Sequence, residues 1–502
     1  MIRAFITITC IILHSVSVPT SLRADESTET LSTQADAAAP TATTPSTATD
    51  VWGTFFFPED RPAPGHDNQS LDFKFGWHGY LRSPMRLASR AREDGSGTNL
   101  RSPWLIDDDY YLSGFAYTRN QETDYSEIFL MGGNRYITGT VGLFGSLFSD
   151  AAYPDSQRQL GIAQGFVTLR YEHQVADVHA RVRLKGGSFW DRFGYLAKYD
   201  TYVFGRTHQA GMQAATDLEY KNFVLSLIAG VGSHLEQLEA SQGLATLRYG
   251  AVRLAYDQKY EVGIYRLDTG ESDLRQLKDI KEATLDVTGI DARFTNDFAG
   301  RLYVAYSHLS ATRAQYMSPV LEVMHSYGGK GLTDNYFGSE ASDNGTGGLN
   351  TFAFQYDYSL AALLRNSRGQ EDALRRGKDV LLSVFGVYTK IASKQADLDP
   401  MINRDGRRSF KWGADVAWWP TSWVGASVRY DRVVLNVDDE ANSMRILSPR
   451  LSFRARFMGE GLIFLQYSRY GYGERIQLRA GQVPLETLPD QSAFKIQAQL
   501  SF

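Results

Sequence analysis

The chain is 502 residues long, carries a formal net charge of −5, and contains 45 Gly, 28 Tyr, 27 Phe and one Cys. Its charges are spread along the chain without a concentrated basic patch, which excludes a typical nucleic-acid-binding protein. The lone Cys10 lies in the N-terminal apolar run, so the mature chain has no disulfide framework, cysteine zinc site or thiol nucleophile. A hydrophobic fraction of 43% with a mean hydropathy of −0.31 favours strands that alternate apolar and polar side chains.

The N-terminus predicts a secretory signal followed by a disordered leader. Arg3 precedes an apolar run that ends at Val18, and small residues lead to Ala24, so we expect a signal peptide over 1–24. The apolar run is shorter than the roughly 20 residues of a membrane span, which disfavours a retained anchor. Residues 25–70 are rich in Thr, Ala and Pro and predict a disordered periplasmic leader, and 71–502 predict a single transmembrane β-barrel.

Period-two alternation is the main sign of a barrel. Apolar and polar side chains alternate in 163–171, 178–185, 450–457 and 494–502. In the last of these segments Phe494, Ile496 and Phe502 share one face, and Lys495 and Gln497 share the other. A wall with lipid outside and water inside requires this change of polarity at every residue, although a soluble sandwich also alternates. No later segment offers about 18 consecutive apolar residues, so only strands could cross a bilayer.

The connections favour a barrel over a sandwich, because outer-membrane barrels have short turns at one end and long loops at the other. Tight turns are predicted near 172–177, 219–222, 256–261, 295–300, 419–421 and 457–461. Longer Gly- and Asp-rich stretches alternate with them, at 84–122, 149–160, 189–206, 269–282, 312–348, 392–408 and 474–489. Counting hairpins back from Phe502 gives about 18 antiparallel strands, with 16 as the alternative, and makes 362–378 an elaborated periplasmic turn.

Two short segments resemble the maltoporin-like sugar porins. Residues 75–83 (FGWHGYLRS) resemble the opening strand of that family with its His-Gly-Tyr-x-Arg-Ser motif, and 122–130 (ETDYSEIFL) resemble its second strand. The resemblance implies an 18-stranded, homotrimeric bacterial outer-membrane channel for sugars, with a third loop folded inward and a line of aromatic rings along the pore. The chain departs from the family in its long leader and in the absence of a cysteine pair from the first loop.

The third long loop, 189–206, is the stretch most informative about function. It carries aromatic rings beside charged side chains, and large apolar surfaces are unfavourable in water, so we expect this loop to fold into the lumen. The predicted pore constriction consists of Trp190, Asp191, Arg192, Phe193, Tyr195, Lys198, Tyr199, Tyr202 and Arg206. Rings beside charges suit sugars, which present apolar ring faces and hydroxyl edges. The alternative is that the rings only anchor the loop to the wall.

Lumen-facing arginines are the second functional feature. The alternation predicts a lumen wall that contains Arg170, Arg181, Arg183, Arg429, Arg450, Arg454 and Arg456. Rings of arginine select anions in pores, which makes an anion-selective porin the first alternative to a sugar porin. Carboxylates such as Asp286 and Asp431 could instead neutralise these arginines by pairing across strands.

Enzymatic chemistry finds little support. The sequence has no Gly-x-Ser-x-Gly, no His-Glu-x-x-His and no phosphate-cradling glycine loop, so we assign no catalytic residue, no metal ligand and no cofactor. His208 and His234 lie near loops and keep a membrane lipase formally open. An oxygen-ligand cation site could form from the loop acids Asp107, Asp108, Asp109, Asp334 and Asp343. A membrane-interface girdle is predicted from Tyr303, Tyr306, Trp418, Trp419 and Trp423.

Together these patterns predict an outer-membrane porin that lets small hydrophilic solutes diffuse passively. Its expected partners are outer-membrane lipid, the solutes themselves, the barrel-assembly machinery through the strand that ends at Phe502, and further copies in a homotrimer, with no nucleic acid. A non-conducting adhesin or scaffold barrel, acting through loops 84–122 and 312–348, is the alternative of a different class.

Overall fold

The computed structural model describes residues 72–89, 125–145, 160–199, 201–233, 247–257, 259–269, 283–296, 299–313, 321–323, 326–327, 346–360, 379–393, 406–434, 436–438, 441, 443–455, 460–473 and 490–501. The predicted signal peptide and leader lie outside the described residues, as do His234, Arg456, Phe502 and the loop acids named above. The segment 362–378 also lies outside them. No helix in the described ranges is both long and apolar enough to cross a membrane.

The described residues are dominated by strands. In chain order these are β1 (Lys74–Ser89), β2 (Tyr125–Gly133), β3 (Ile137–Gly145), β4 (Leu160–Val175), β5 (Val178–Leu196), β6 (Thr201–Tyr220), β7 (Phe223–Ser233), β8 (Leu247–Tyr256), β9 (Tyr260–Thr269), β10 (Thr284–Asn296), β11 (Gly300–Thr312), β12 (Leu321–Val323), β13 (Ser326–Tyr327), β14 (Gly347–Ser359), β15 (Asp379–Ser393), β16 (Arg408–Trp419), β17 (Val424–Val434), β18 (Ser443–Ala455), β19 (Glu460–Tyr472) and β20 (Gln491–Ser501).

The sheet closes on itself. Each wall strand pairs antiparallel with the next along the chain, β11 pairs with β14, and β20 pairs with β1 through partners such as Ser83 and Ala498. The short β12 and β13 form a hairpin that stands apart from the wall, and β12 pairs with β6. The wall therefore has 18 strands, which confirms the predicted all-β antiparallel barrel and makes the alternative of 16 wrong.

Alternation divides each wall strand into an outer and an inner face. In β4, Val167 and Leu169 are exposed on the outer face, whereas Thr168 and Arg170 are buried on the inner face. In β20, Phe494 is exposed and Lys495 and Gln497 are buried. Apolar side chains thus cover the outside of the wall and polar side chains the inside, as a barrel in lipid requires.

The two ends of the barrel differ in their connections. Turns of two or three residues join β4 to β5, β6 to β7, β8 to β9 and β10 to β11 at one edge, which we call the short-turn end. The opposite edge, which we call the long-loop end, carries the other long connections. The long connection between β14 and β15 is the exception, because Ser359 and Asp379 lie at the short-turn end. Strand β1 continues to Ser89, so the predicted loop 84–122 begins later than expected because its first residues pair with β20.

The predicted loop 189–206 is wrong in one respect, because most of it is strand. Residues 189–196 continue β5 and residues 201–206 belong to β6, which leaves a connection of only 197–200. Pairing of β5 with β4 ends at Ser188, and pairing of β6 with β7 ends at Ala210. Beyond these points the two strands leave the wall and pair with each other, and β6 also pairs with β12 at Arg206 and Thr207. We call residues 189–209 the lumen hairpin.

A hydrophobic core lies inside the barrel, between the lumen hairpin and one side of the wall. Buried apolar side chains from the hairpin pack mainly with inward side chains of β8–β11, β14 and β15 and with β12, and the same cluster continues to a few side chains of β17–β20. Members include Phe193, Phe204, Leu267, Val287 and Leu321. On this side of the barrel, inner-face positions that would otherwise carry polar residues are apolar, because the hairpin covers them.

Candidate functional site

The lumen hairpin leaves the wall at glycine positions. Gly187 of β5 has φ of +133°, and a Cβ placed on it would lie 2.4 Å from the carbonyl oxygen of Gly165. It pairs with Gly211 of β6, where a Cβ would lie 2.1 Å from the carbonyl oxygen of Val231. Backbones approach so closely here that side chains are excluded, which lets the hairpin turn inward.

Asp191 holds the root of the hairpin to the wall. Its carboxylate is fully buried and accepts hydrogen bonds from the hydroxyl of Tyr249 and the amide of Gln213, while Lys185 lies 3.7 Å away. The backbone amide of Asp191 donates to the hydroxyl of Thr207 on the paired strand at 3.0 Å. A buried charge is tolerated only when it is paired and hydrogen-bonded, so this network fixes the position of the root.

The middle of the hairpin packs on β8–β10 through aromatic rings. The ring of Phe204 lies 4.5 Å from that of Tyr265, and it occupies the space that a side chain at Gly289 would fill. Phe193 lies 5.4 Å from Tyr249 and 6.1 Å from Tyr265. These rings are almost completely buried, so in this part of the hairpin they act as anchors.

The tip of the hairpin reaches β14–β17, well around the wall from its root. The ring of Tyr199 meets that of Phe385 edge to face at 5.0 Å. The amine of Lys198 lies 3.1 Å from the Asp415 carboxylate, and its backbone carbonyl accepts from Arg429 at 2.9 Å. The hairpin is thus fastened at both ends and spans the interior. Its inward position agrees with the prediction for this segment.

The other face of the hairpin is polar and partly exposed. The guanidinium of Arg206 lies 4.9 Å from the ring of Trp190 and 5.8 Å from that of Tyr202, and Arg192 lies 5.8 Å from Tyr202. Arg192 also lies 3.7 Å from Glu127 of β2. Cations stacked on aromatic rings are held in place while keeping their charge. This face, which we call the arginine face, points toward β2 and β3.

Two further predicted residues join the same surroundings. Tyr195 stacks on Tyr202 at 5.5 Å and is the more exposed of the two. His208, raised as a hydrolase candidate, lies 4.9 Å from Trp190, whose ring also packs on Phe144. In this position His208 supports the hairpin by ring packing.

The predicted lumen arginines within the described residues all lie on the inner face of the wall. Three are matched with carboxylates: Arg181 lies 3.7 Å from Glu219, Arg183 lies 3.9 Å from Asp217, and Arg429 lies 2.7 Å from Asp431. Arg170 donates to the hydroxyl of Thr138 at 2.6 Å, and Arg454 stacks on the ring of Trp419 at 4.1 Å.

A row of cations crosses β18–β20, and of its members only Arg450 is among the site residues predicted from the sequence. Arg450 pairs in register with Gln466, which pairs with Lys495, so the three residues form one row across the inner wall. Arg450 lies 3.9 Å over the ring of Phe464, and the amine of Lys495 lies 5.7 Å from the same ring. The alternation around Phe494 already placed Lys495 inside, but only the register aligns it with Arg450.

Three sequence assignments need correction. Asp286 faces outward and pairs with the exposed Arg266 at 2.6 Å, so it cannot neutralise a lumen arginine, whereas Asp431 does. Tyr303 is buried on the inner face, where Arg293 lies 5.5 Å from its ring, and Trp419 lies inside beneath Arg454. Tyr303 and Trp419 therefore each lie one position away from the lipid-facing positions of their strands, whereas Tyr306, Trp418 and Trp423 are exposed.

Within the described part of the chain no group of acidic, His or Cys residues could hold a metal.

No family model and no curated protein matches this sequence. Among solved structures, the chain is similar to an anion-selective porin from Comamonas acidovorans, with a TM-score of 0.39 and 9% identity over 86% of this chain and all 100% of the other. It is also similar to OccD3 (OpdP) of Pseudomonas aeruginosa, with a TM-score of 0.38, 9% identity and coverage of 86% and 92%. OprD of the same organism gives a TM-score of 0.37, 8% identity and coverage of 85% and 95%. Scores and identities this low decide nothing about function.

The barrel itself defines where the protein resides. A closed barrel with an even number of antiparallel strands, short turns at one end and an apolar outer face is the architecture of bacterial outer-membrane proteins. Its 18 wall strands and outward apolar side chains fit the bacterial outer membrane.

Proposed function

We propose that the chain is an outer-membrane porin through which small hydrophilic solutes diffuse, with no covalent step. The observation that carries the proposal is the division of the barrel interior. Apolar packing is concentrated where the lumen hairpin covers β8–β11, β14 and β15. The inner faces of β3–β5 and β18–β20 carry more polar side chains, such as Thr138, Gln164 and Gln497, beside a smaller number of apolar core members such as Ile446 and Tyr470. A barrel of 18 strands is too wide for side chains alone to fill, so an aqueous path fits the polar side.

In this proposal the long-loop end faces the cell exterior and the short-turn end faces the periplasm. A solute passes between the arginine face of the hairpin and the wall. The constriction comprises the partly exposed Trp190, Arg192, Tyr202 and Arg206, with Tyr195 beside them, while Asp191, Phe193, Lys198 and Tyr199 hold the hairpin in place.

For solute class we propose a preference for small anions over sugars. The row of Arg450, Gln466 and Lys495 places two cations and a neutral amide on one level of the wall, with Arg450 partly exposed and Gln466 and Lys495 buried beside it. The arginine face adds Arg192 and Arg206. Basic rings in a pore favour anions. A sugar slide has less support, because Phe189, Phe193, Tyr199 and Phe204 are buried as anchors.

The test is the reversal potential of single channels under a KCl gradient. We expect a preference for chloride, which should shift toward potassium in the double variant Arg450→Gln, Lys495→Gln. Arg266→Gln on the outer face is the matched control and should leave the preference unchanged.

Maltodextrins added to the same bilayer should not block the current. Block by maltodextrins together with an absence of anion preference would instead establish the sugar porin, and an absence of current steps would favour the adhesin or scaffold barrel.

A further inference from the structure

The outer face of the barrel carries a basic cluster that the pore does not use. Arg432 of β17 and Arg445 of β18 are direct register partners, and both alternate with inward residues such as Asp431 and Ile446. Two like charges directly opposite each other on a sheet repel and destabilise it. An anion that lies between the two guanidinium groups relieves this repulsion.

The row extends on both sides of this pair. Trp412 of β16 is the other register partner of Arg432, and Gly471 of β19 is the other partner of Arg445. A Cβ at Gly471 would lie 2.7 Å from Nε of Arg445, so the arginine side chain lies across the glycine and along the outer surface. Because Gly471 has no side chain, the side chain of Arg445 can lie against the backbone of β19.

A third arginine adjoins the row. Arg469 lies on the outer face of β19, two positions before Gly471, and binds Asp490 at 2.9 Å. Asp490 also lies beside Arg445, since its Oδ1 is 3.4 Å from the same Cβ position at Gly471. Three guanidinium groups on β17–β19 and one carboxylate just before β20 thus occupy neighbouring positions, and their sum is positive. We call Arg432, Arg445, Arg469 and Asp490 the outer arginine cluster.

The cluster lies at the level of a membrane interface. Arg432 is close to the end of β17 and Arg445 close to the start of β18, so both approach the long-loop end. The outward rings of Trp412 and Tyr430 pack 5.4 Å apart next to them. Aromatic and basic side chains together mark the depth at which lipid headgroups meet the hydrocarbon.

We infer that the outer arginine cluster binds the phosphate of an outer-leaflet lipid. A phosphate group offers several oxygens, and arginine forks bind phosphate through paired hydrogen bonds, so one headgroup can bridge Arg432 and Arg445. The acyl chains then lie along the apolar wall below, beside Val428 and Leu447. The inference shares with the proposed porin only the placement of the barrel in the outer membrane, and it does not depend on conduction.

The test uses the purified full barrel in phosphatidylcholine vesicles doped with phosphatidic acid. Tryptophan quenching by phosphatidic acid with brominated acyl chains is compared with quenching by brominated phosphatidylcholine. We expect the wild type to prefer phosphatidic acid, and the double variant Arg432→Gln, Arg445→Gln to weaken that preference roughly 30-fold, since two basic residues near an anionic surface contribute separately. The matched control Arg248→Gln, Arg266→Gln changes two outward arginines of β8 and β9 and should retain the preference.

Any of five results would overturn the inference. The preference could be absent from the wild type or unchanged in the double variant. Trp412→Phe could leave the phosphatidic-acid-specific quenching intact, which would place the lipid elsewhere. Millimolar inorganic phosphate could displace the lipid, or the double variant could change only the oligomer mass, which would assign the cluster to a free anion or to a second copy of the chain. Circular dichroism confirms that each variant folds.

Discussion

Replacing Asp191 by Asn tests whether the lumen hairpin is locked to the wall. The substitution keeps the shape of the side chain but removes the negative charge of the carboxylate. That carboxylate lies 3.7 Å from the amine of Lys185 and accepts hydrogen bonds from Tyr249 and Gln213. Both members of the ion pair are almost completely buried. Loss of one partner from a buried pair costs about 3 kcal/mol, which raises the population of the detached hairpin about 100-fold.

Hydrogen exchange of the amides in 189–209 measures this opening directly. In Asp191→Asn these amides should exchange about 100-fold faster, while the amides of β17–β20 should be unchanged. Asp286→Asn is the matched control, because Asp286 pairs with Arg266 on the exposed outer face, where ion pairs contribute little. Equal exchange rates in the two variants would refute the proposed role of Asp191.

Three further changes probe the same architecture. Gly187→Val should prevent most of the protein from reaching the heat-modifiable barrel form on gels. The adjacent Gly186→Val is the control and should leave the yield of folded barrel unchanged, since nothing lies within 4 Å of a Cβ at Gly186. Equal yields of folded barrel from the two variants would contradict the proposed role of Gly187. Phe204→Ala should remove about 3 to 5 kcal/mol of packing from the hairpin and speed its amide exchange, while Phe294→Ala on the exposed face should not. Arg429→Gln should detach the tip of the hairpin and speed the hydrogen exchange of the Tyr199 amide, because Arg429 donates to the carbonyl of Lys198. An exchange rate equal to that of the wild type would mean that the packing of Tyr199 on Phe385 alone holds the tip.

The barrel could be predicted from the sequence because its determinants are local. Alternation in β4 and β18 reports directly which side chains meet lipid, and short turns report where neighbouring strands join. The strand number follows from counting those turns, and the inward position of Arg170 and Arg450 follows from their place in the alternation.

The interior could be predicted only in part, because it depends on contacts between distant segments. The aromatic content of 189–206 indicated that this segment folds inward, but the continued pairing of β5 with β6 has no local signal. On β8–β11 the inner face is apolar because the hairpin covers it, so Leu285 and Val287 do not follow the simple polar-inside pattern. Tyr303 and Trp419 were placed on the lipid face for a similar reason, since composition near a turn does not reveal which face a ring takes.

The same limit applies to charge. Sequence alone grouped the arginines by strand, yet their effect depends on neighbours set by register. Arg183 meets Asp217 across a strand pair, whereas Arg450 aligns with Lys495 across two. Register across neighbouring strands is fixed by the closed sheet and cannot be read from one segment.

Single-channel recording in planar bilayers tests the porin proposal most directly. If the polar side of the interior is an aqueous path, the purified, leader-free barrel should give discrete current steps. Barrels that insert into the bilayer but give no steps at any applied potential would contradict the proposal and leave a closed scaffold as the account of this fold.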